Sequence, residues 1–337
     1  MLTRLVRILV KIALGVLLIA AVAVYFDFRR FLDAPFPVSA EGASVVVTAG
    51  DSIATIARDL KQRGLLRSEL YLEGYARASG QAARIQAGEY AITPEMTPRR
   101  LLANLVAGRV IQYSLRIFEG WTFHQMLAAI HGNAKLKPTL AALSDGDIMA
   151  RLGHPGEHPE GRFFPDTYRF PAGTTDLDFL RRAYATMEQH LAEVWAKRAP
   201  NLPLKSPYEA LILASIIEKE TGLARERPAI AGVFVRRLQK DMRLQADPAV
   251  IYGMGAAFDG DIRRRDLEAD TPYNTYTRKG LPPTPIALPG LGSLFAAVAP
   301  STGEALYFVA RGDGGHVFSR TLDEHNQAVK QYMLNRR

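Results

Sequence analysis

Cysteine is absent from the 337-residue chain, which excludes disulfides, thiolate metal sites and a cysteine nucleophile while leaving the redox compartment open. Other chemistries are missing too. There is no HExxH pair, no G-x-S-x-G elbow and no dinucleotide, zinc-finger or RNP signature. His154 and His158 stand four apart in "HPGEHPEG", but the prolines oppose the helix that such a zinc pair prefers, so neither metal nor cofactor is expected. At 48% hydrophobic the chain can bury a large core, and its length fits about two domains. A net charge of +8 and a pI near 9.6 fit an acidic partner: nucleic acid, anionic lipid or wall polymer. No basic stripe interleaved with aromatics occurs, so nucleic acid is not the expected partner.

Charge is also missing from Ile12 to Phe26, "IALGVLLIAAVAVYF", and counting back to Ile8 extends the run to 19 residues interrupted only by Lys11. That approaches the roughly 20 needed to span a bilayer, and a lysine near the end can snorkel to the headgroups. Arg4, Arg7 and Lys11 flank the start, whereas Arg29 and Arg30 are offset by Asp27 and Asp33, so the N-terminus is expected in the cytoplasm. The alternative is a cleaved signal peptide, because Ala21-Val22-Ala23 fits a signal peptidase. Continuation of the apolar run through Tyr25 and Phe26 favours an anchor, and either reading exports the rest of the chain.

"DAPFPVSAEGA" (33–43) reads as a linker. A compact unit of about 50 residues follows, with a strand in "SVVVTA", a helix capped by Asp51 or Ser52, a second capped by Ser68, and a returning strand in "GEYAIT". This β-α-α-β order resembles the LysM-type module that binds N-acetylglucosamine-containing glycans. Thr97, Pro98 and Gly108 bracket a further helix, and Thr122 with Gln125 forms a capping box. Helices are predicted over 176–198, 207–221 and 225–240, then two short β runs, "ALYFVA" and "HVFS", and a closing helix. Strands and helices mix without regular alternation, so the fold class is α+β.

The chemistry centres on "LILASIIEKETG" (211–222), where Glu218 ends an almost wholly apolar helix. An apolar setting disfavours the charged form of a carboxyl and raises its pKa, as a general acid requires. On a helical wheel Glu218 lies with Leu211, Ala214 and Ser215, while Glu209 and Glu220 lie with Leu213 and Ile216 and read as ordinary surface carboxylates. The plainer reading of Glu218 is a helix-end carboxylate paired with Arg225 or Arg227. Candidate substrate contacts surround it in the text: Glu160, Asp166 and Tyr168 in "EGRFFPDTYRF", Ser215, then Gln245, Asp247 and Tyr252 around a turn, and Asn274 and Tyr276 in a Pro/Gly-rich loop. Amides, carboxylates and aromatic rings in such density suit a sugar, whose hydroxyls need hydrogen bonds and whose apolar faces need cover.

Four ordered segments, "ASIIEKET", "MRLQADPAVIYG", "DTPYNTYTRKGLPPTPI" and "GDGGHVFSRTLDEHNQAV", resemble the signatures of the YceG-like family of membrane-anchored endolytic murein transglycosylases. The departures are Thr284, where a glycine usually follows the paired prolines, and Arg236 and Asp241, where asparagine and glycine are frequent. The resemblance implies a cytoplasmic tail (1–7), an anchor (8–27), a linker (28–43), a LysM-like glycan-binding domain (44–113) and a catalytic domain (114–337). It implies an inner-membrane protein with a periplasmic catalytic domain, acting on peptidoglycan glycan strands beside glycan-polymerising synthases, with Glu218 as acid and then base. Asp247 and Asp166 remain open as substrate-positioning residues or as a second carboxylate, and a non-catalytic wall-binding scaffold is the competing function.

Overall fold

The computed structural model describes the backbone of residues 2–334 and the side chains of 4–333. Met1 and residues 335–337, the outermost parts of the expected tail and catalytic domain, lie outside the described residues. The fold is mixed α+β, and the chain divides into two compact units, Met1–Tyr113 with Arg169–Gly173 and Ser114–Tyr168 with Thr174–Arg337.

The first unit opens with helix α1 (Leu2–Asp33). Arg4–Asp33 is long and apolar enough to cross a membrane, with a mean hydropathy of 2.6 over its most apolar stretch, none of which is buried. Its end corrects the linker reading of 28–43. The helix runs without a break to Asp33, and Phe31, Leu32 and Phe36 are buried in the core of the unit. The Phe36 N–H donates to the Met96 carbonyl at 2.9 Å. Aromatic and aliphatic spacing at 28, 31 and 32 gives this last turn an inward face, which outweighs the loop signal of the prolines that follow.

Strand β1 (Ala43–Val47), helices α2 (Ile53–Gln62) and α3 (Glu69–Ala78) and strand β2 (Gly88–Ile92) complete the β-α-α-β order, with β1 antiparallel to β2 and Val45 opposite Tyr90. Ser52 caps α2, while Asp51 instead accepts from the Thr48 N–H and hydroxyl. Helix α4 (Pro98–Ala107) starts on Thr97 and stops at Gly108, whose left-handed φ of 65° a side chain would resist. Strand β3 (Gln112–Arg116) then leads out of the unit.

In the second unit α5 (Phe123–His131) carries the Thr122–Gln125 capping box, followed by α6 (Asp145–Leu152), strand β4 (Thr167–Pro171), which runs across the division, and α7 (Asp176–Ala196). The centre is α8 (Pro207–Glu220), against which α9 (Arg227–Gln239), α10 (Asp247–Met254) and α12 (Leu291–Val298) pack, with short α11 (Arg264–Glu268) in the intervening loop. Strands β5 (Tyr307–Ala310) and β6 (His316–Ser319) form a hairpin with Phe308 opposite Phe318, and α13 (Leu322–Val329) follows, running into a π-helical turn at Lys330–Leu334. The segment around Asp247, read as a turn from sequence, is the start of α10. Pro248 lacks the N–H that a first helical turn leaves unpaired, so it opens the helix instead of preventing it.

Candidate active site

Helix α8 is anchored by Ser206, whose hydroxyl accepts the Glu209 N–H, and by Pro207 in its first turn. Eight consecutive residues, Ala210 to Ile217, are buried, so no side of this stretch faces water. The helix ends where Thr221 turns to φ −144° and ψ 132°, and its last turn carries both Glu218 and Glu220.

The Glu218 side chain is only 6% exposed, but its surroundings are polar and not the apolar wall expected. One oxygen accepts from Arg227 Nη2 at 2.9 Å, the other from the Ser293 hydroxyl at 2.7 Å and the Gly290 N–H at 3.0 Å. Of the two pairings weighed from sequence, the one with Arg227 is formed. Arg227 also reaches Glu119 at 3.2 Å, so the carboxylate ties α8 to α9 and to the start of α12. It borders an open groove of about 490 Å³ with Trp121, Gln125 and Lys219.

Glu220 has the opposite setting. It is partly buried, lines a pocket of about 480 Å³, and makes no hydrogen bond or ion pair among the described residues. Burial, reinforced by the charge of Asp247 and only partly relieved by Arg237, pushes its carboxyl up to about 8. Gln245, Asp247, Tyr276 and His325 share this pocket. The Tyr276 hydroxyl donates to Asp247 Oδ1 at 2.5 Å, which fixes the carboxylate and leaves its other oxygen free of that bond. Buried Arg237 is spent on other acceptors: the Leu306 and Leu244 carbonyls at 2.7 and 2.8 Å and Gln245 Oε1 at 3.2 Å. The ring of Tyr307 lies under its guanidinium, 5.0 Å from centroid to Cζ. Burial holds His325 below the usual imidazole range, and so does the nearby Arg237 charge, so its ring is neutral at pH 7.

Two loop segments lock together to make the pocket. The Gln245 N–H donates to the Thr275 carbonyl and the Ala246 N–H to the Thr275 hydroxyl, at 3.1 and 2.9 Å. Gln245 sits at φ 52°, a left-handed conformation that costs a non-glycine residue about 1 kcal/mol and tends to persist where function over-determines it. Asn274 donates to the carbonyls of Asp266, Leu267 and Ala269 and accepts the Tyr276 N–H at 2.8 Å. It is 1% exposed, so it shapes the loop that presents Tyr276 and does not itself face the pocket.

The other expected contacts lie elsewhere. Ser215 is fully buried, donating to the Ile212 carbonyl and accepting the Ile286 N–H. Tyr168 bonds the Phe164 carbonyl inside the core, and Asp166 is exposed beside Arg116 and Phe118. Glu160, 2% exposed, accepts the Phe123 N–H at 3.0 Å and the Tyr252 hydroxyl at 3.1 Å, and burial pushes its carboxyl up to about 7. Of the ten residues proposed from sequence, Gln245, Asp247 and Tyr276 line the same pocket as Glu220, which the sequence reading takes for a surface carboxylate.

A family model described as the YceG-like family matches residues 45–331. The chain belongs to the YceG-like family. This YceG-like protein is 33% identical over 310 residues to the endolytic murein transglycosylase of Bacillus subtilis (strain 168), covering 87% of this chain and 85% of that one. It is 27% identical over 348 residues to the endolytic murein transglycosylase of Streptococcus pneumoniae serotype 2 (strain D39 / NCTC 7466), covering 92% of this chain and 62% of that longer protein. The crystal structure of a YceG-like protein from Listeria monocytogenes superimposes with a TM-score of 0.55 at 29% identity, over 86% of this chain and 99% of that one.

Two departures from the family pattern acquire a local meaning. Asp241 adopts φ 53°, a left-handed conformation that glycine takes without steric cost, and Thr284 bonds the Tyr273 hydroxyl at 2.8 Å.

Proposed function

We propose that this YceG-like protein is a membrane-anchored endolytic peptidoglycan transglycosylase, and that Glu220, not Glu218, is its general acid and base. The observation that supports this assignment is the pairing state of the two carboxyls. Glu218 is committed to Arg227, Ser293 and Gly290, whereas Glu220 makes no hydrogen bond or ion pair among the described residues, is raised to about 8 and lines a pocket. A general acid must keep its proton near neutral pH and hand it to substrate, and Glu220, raised to about 8 and lining a pocket, meets both conditions.

The neutral Glu220 carboxyl donates its proton to the oxygen linking C1 of N-acetylmuramic acid to N-acetylglucosamine. The C1–O bond breaks as C1 gains oxocarbenium character, and the Glu220 carboxylate remains. That carboxylate removes the proton from the C6 hydroxyl of the same muramic acid, O6 bonds to C1, and a 1,6-anhydro end forms without water. Asp247, held by Tyr276, keeps Glu220 protonated at the start and stabilises positive charge at C1 by its own negative charge. Gln245 and Tyr276 position sugar hydroxyls.

Helix α1 crosses the inner membrane with Arg4, Arg7 and Lys11 on the cytoplasmic side, so the residues beyond its apolar stretch face the periplasm. The β1-α2-α3-β2 element, LysM-like in its order, grips the glycan, and the similarity to proteins named endolytic murein transglycosylases supports cleavage within strands. The deciding experiment is mass analysis of fragments released from peptidoglycan by the full chain in detergent. Anhydro-muramic ends are expected, lost in Glu220→Gln. Reducing muramic ends would refute a transglycosylase, and unaltered turnover by Glu220→Gln would refute this acid.

A further inference from the structure

The first unit contains a pocket of about 500 Å³ where α1 leaves its apolar stretch, lined by Arg30, Phe31, Phe36, Leu65, Leu66 and Arg67 among others. Its height is set by the helix. Phe26 ends the charge-free run, and Arg30 follows four residues later on the same unbroken helix, about 6 Å farther along at 1.5 Å per residue. The polar headgroup layer beyond the hydrocarbon core is itself about 6 Å deep on each side. Arg67 is fixed at the same level, because its guanidinium reaches both oxygens of Asp27 at 2.9 and 3.0 Å and the Tyr71 hydroxyl joins them at 3.1 Å. Three residues farther, Leu70 is 72% exposed, an apolar side chain without cover at that level.

Charge points the same way. Every carboxylate on α1, α2 and α3 has a cation of its own: Asp27 with Arg67, Asp33 with Arg99, Asp59 with Arg63, Glu69 with Lys61 and Glu73 with Arg77. Arg30 makes no hydrogen bond among the described residues and is exposed at the mouth of the pocket. A guanidinium without a hydrogen-bond partner among the described residues, beside apolar walls and at headgroup depth, suits a phosphate that carries acyl chains.

We propose that this pocket binds the phosphate of an anionic glycerophospholipid of the surrounding membrane, with Arg30 and Arg67 as its cations and Leu70 entering the interface beside it. The proposal rests on the reading that α1 spans the bilayer.

The test uses the full chain in nanodiscs of equimolar phosphatidylcholine and phosphatidylglycerol, counting lipids that remain bound by native mass spectrometry. Phosphatidylglycerol is expected to be retained over phosphatidylcholine by about five-fold or more, since each arginine near a headgroup is worth about that factor. Enrichment should fall in Arg30→Gln, which leaves the Asp27–Arg67 clamp intact, and vanish in the Arg30→Gln/Arg67→Gln double variant. Parity in the unaltered chain, or enrichment that survives both substitutions, overturns the site. Displacement by soluble glycerol 3-phosphate overturns its assignment to a lipid. Extraction of native membranes with alkaline carbonate separates the two readings: a chain released by carbonate overturns the anchor and the site together, and one retained without lipid selectivity overturns the site alone.

Discussion

Glu218 and Glu220 stand two residues apart in the last turn of α8, and the first accepts three hydrogen bonds while the second accepts none among the described residues. A separation of two on a helix turns the side chains to opposite sides, so one residue faces the α9–α12 junction and the other a pocket. Their substitution should therefore have different signatures. Glu220→Gln is expected to lower kcat by about 10³-fold with little change in melting temperature, the range for loss of a general acid. Glycan fragments quantified by mass spectrometry, with a thermal melt alongside, would check both parts.

Glu218→Ala should act on stability. It takes from Arg227, whose side chain is only 12% exposed, the nearer and more buried of its two carboxylate partners, and removes the acceptor at the start of α12. Breaking one half of a buried pair costs about 3 kcal/mol. A double-mutant cycle with Arg227→Ala, read by urea unfolding, should return a coupling well above that of an exposed pair; additivity would contradict the structural role.

The pH profile follows from the same chemistry. Because Glu220 must be protonated to act as acid, and its carboxyl lies at about 8, kcat/KM should fall as pH rises through about 8. Asp247→Asn removes a charge that raises Glu220, so the falling limb should move to lower pH. A limb that stays in place would break the proposed link between the two carboxyls.

Glu160 gives an independent stability signal. Its carboxyl rises from an ordinary value of 4.5 to about 7 in the fold, so between those values the native state binds the extra proton and stability falls as pH rises. The loss should total about 3 kcal/mol across that window. Glu160→Gln, which keeps an acceptor for the Phe123 N–H, should flatten this part of the curve when denaturation midpoints are compared from pH 4 to pH 8.

Much of the architecture was legible because local signals were strong: the charge-free run of α1, the Thr97 and Thr122 caps, and the apolar spacing of α7. Glu220 was not, for a reason in the helix itself. Wheel reasoning assumes one dry face and one wet face, but α8 is buried all round from Ala210 to Ile217, so the face shared with Leu213 and Ile216 was mistaken for surface. Gln245, Asp247 and Tyr276 do share one pocket, whereas Ser215, Tyr168 and Asn274 are polar groups that finish the fold's own hydrogen bonds. One textual cue was available: Glu220 is the last helical residue, where a side chain can face open space beyond the end.

The unbroken passage of α1 into the core of the first unit makes the helix a keyed shaft. One residue inserted between Val24 and Phe28 would rotate the rest of the unit by about 100° about the helix axis relative to the apolar stretch and shift it by about 1.5 Å, because no slack exists to absorb the change. The length of this segment is thus under the same constraint as its composition.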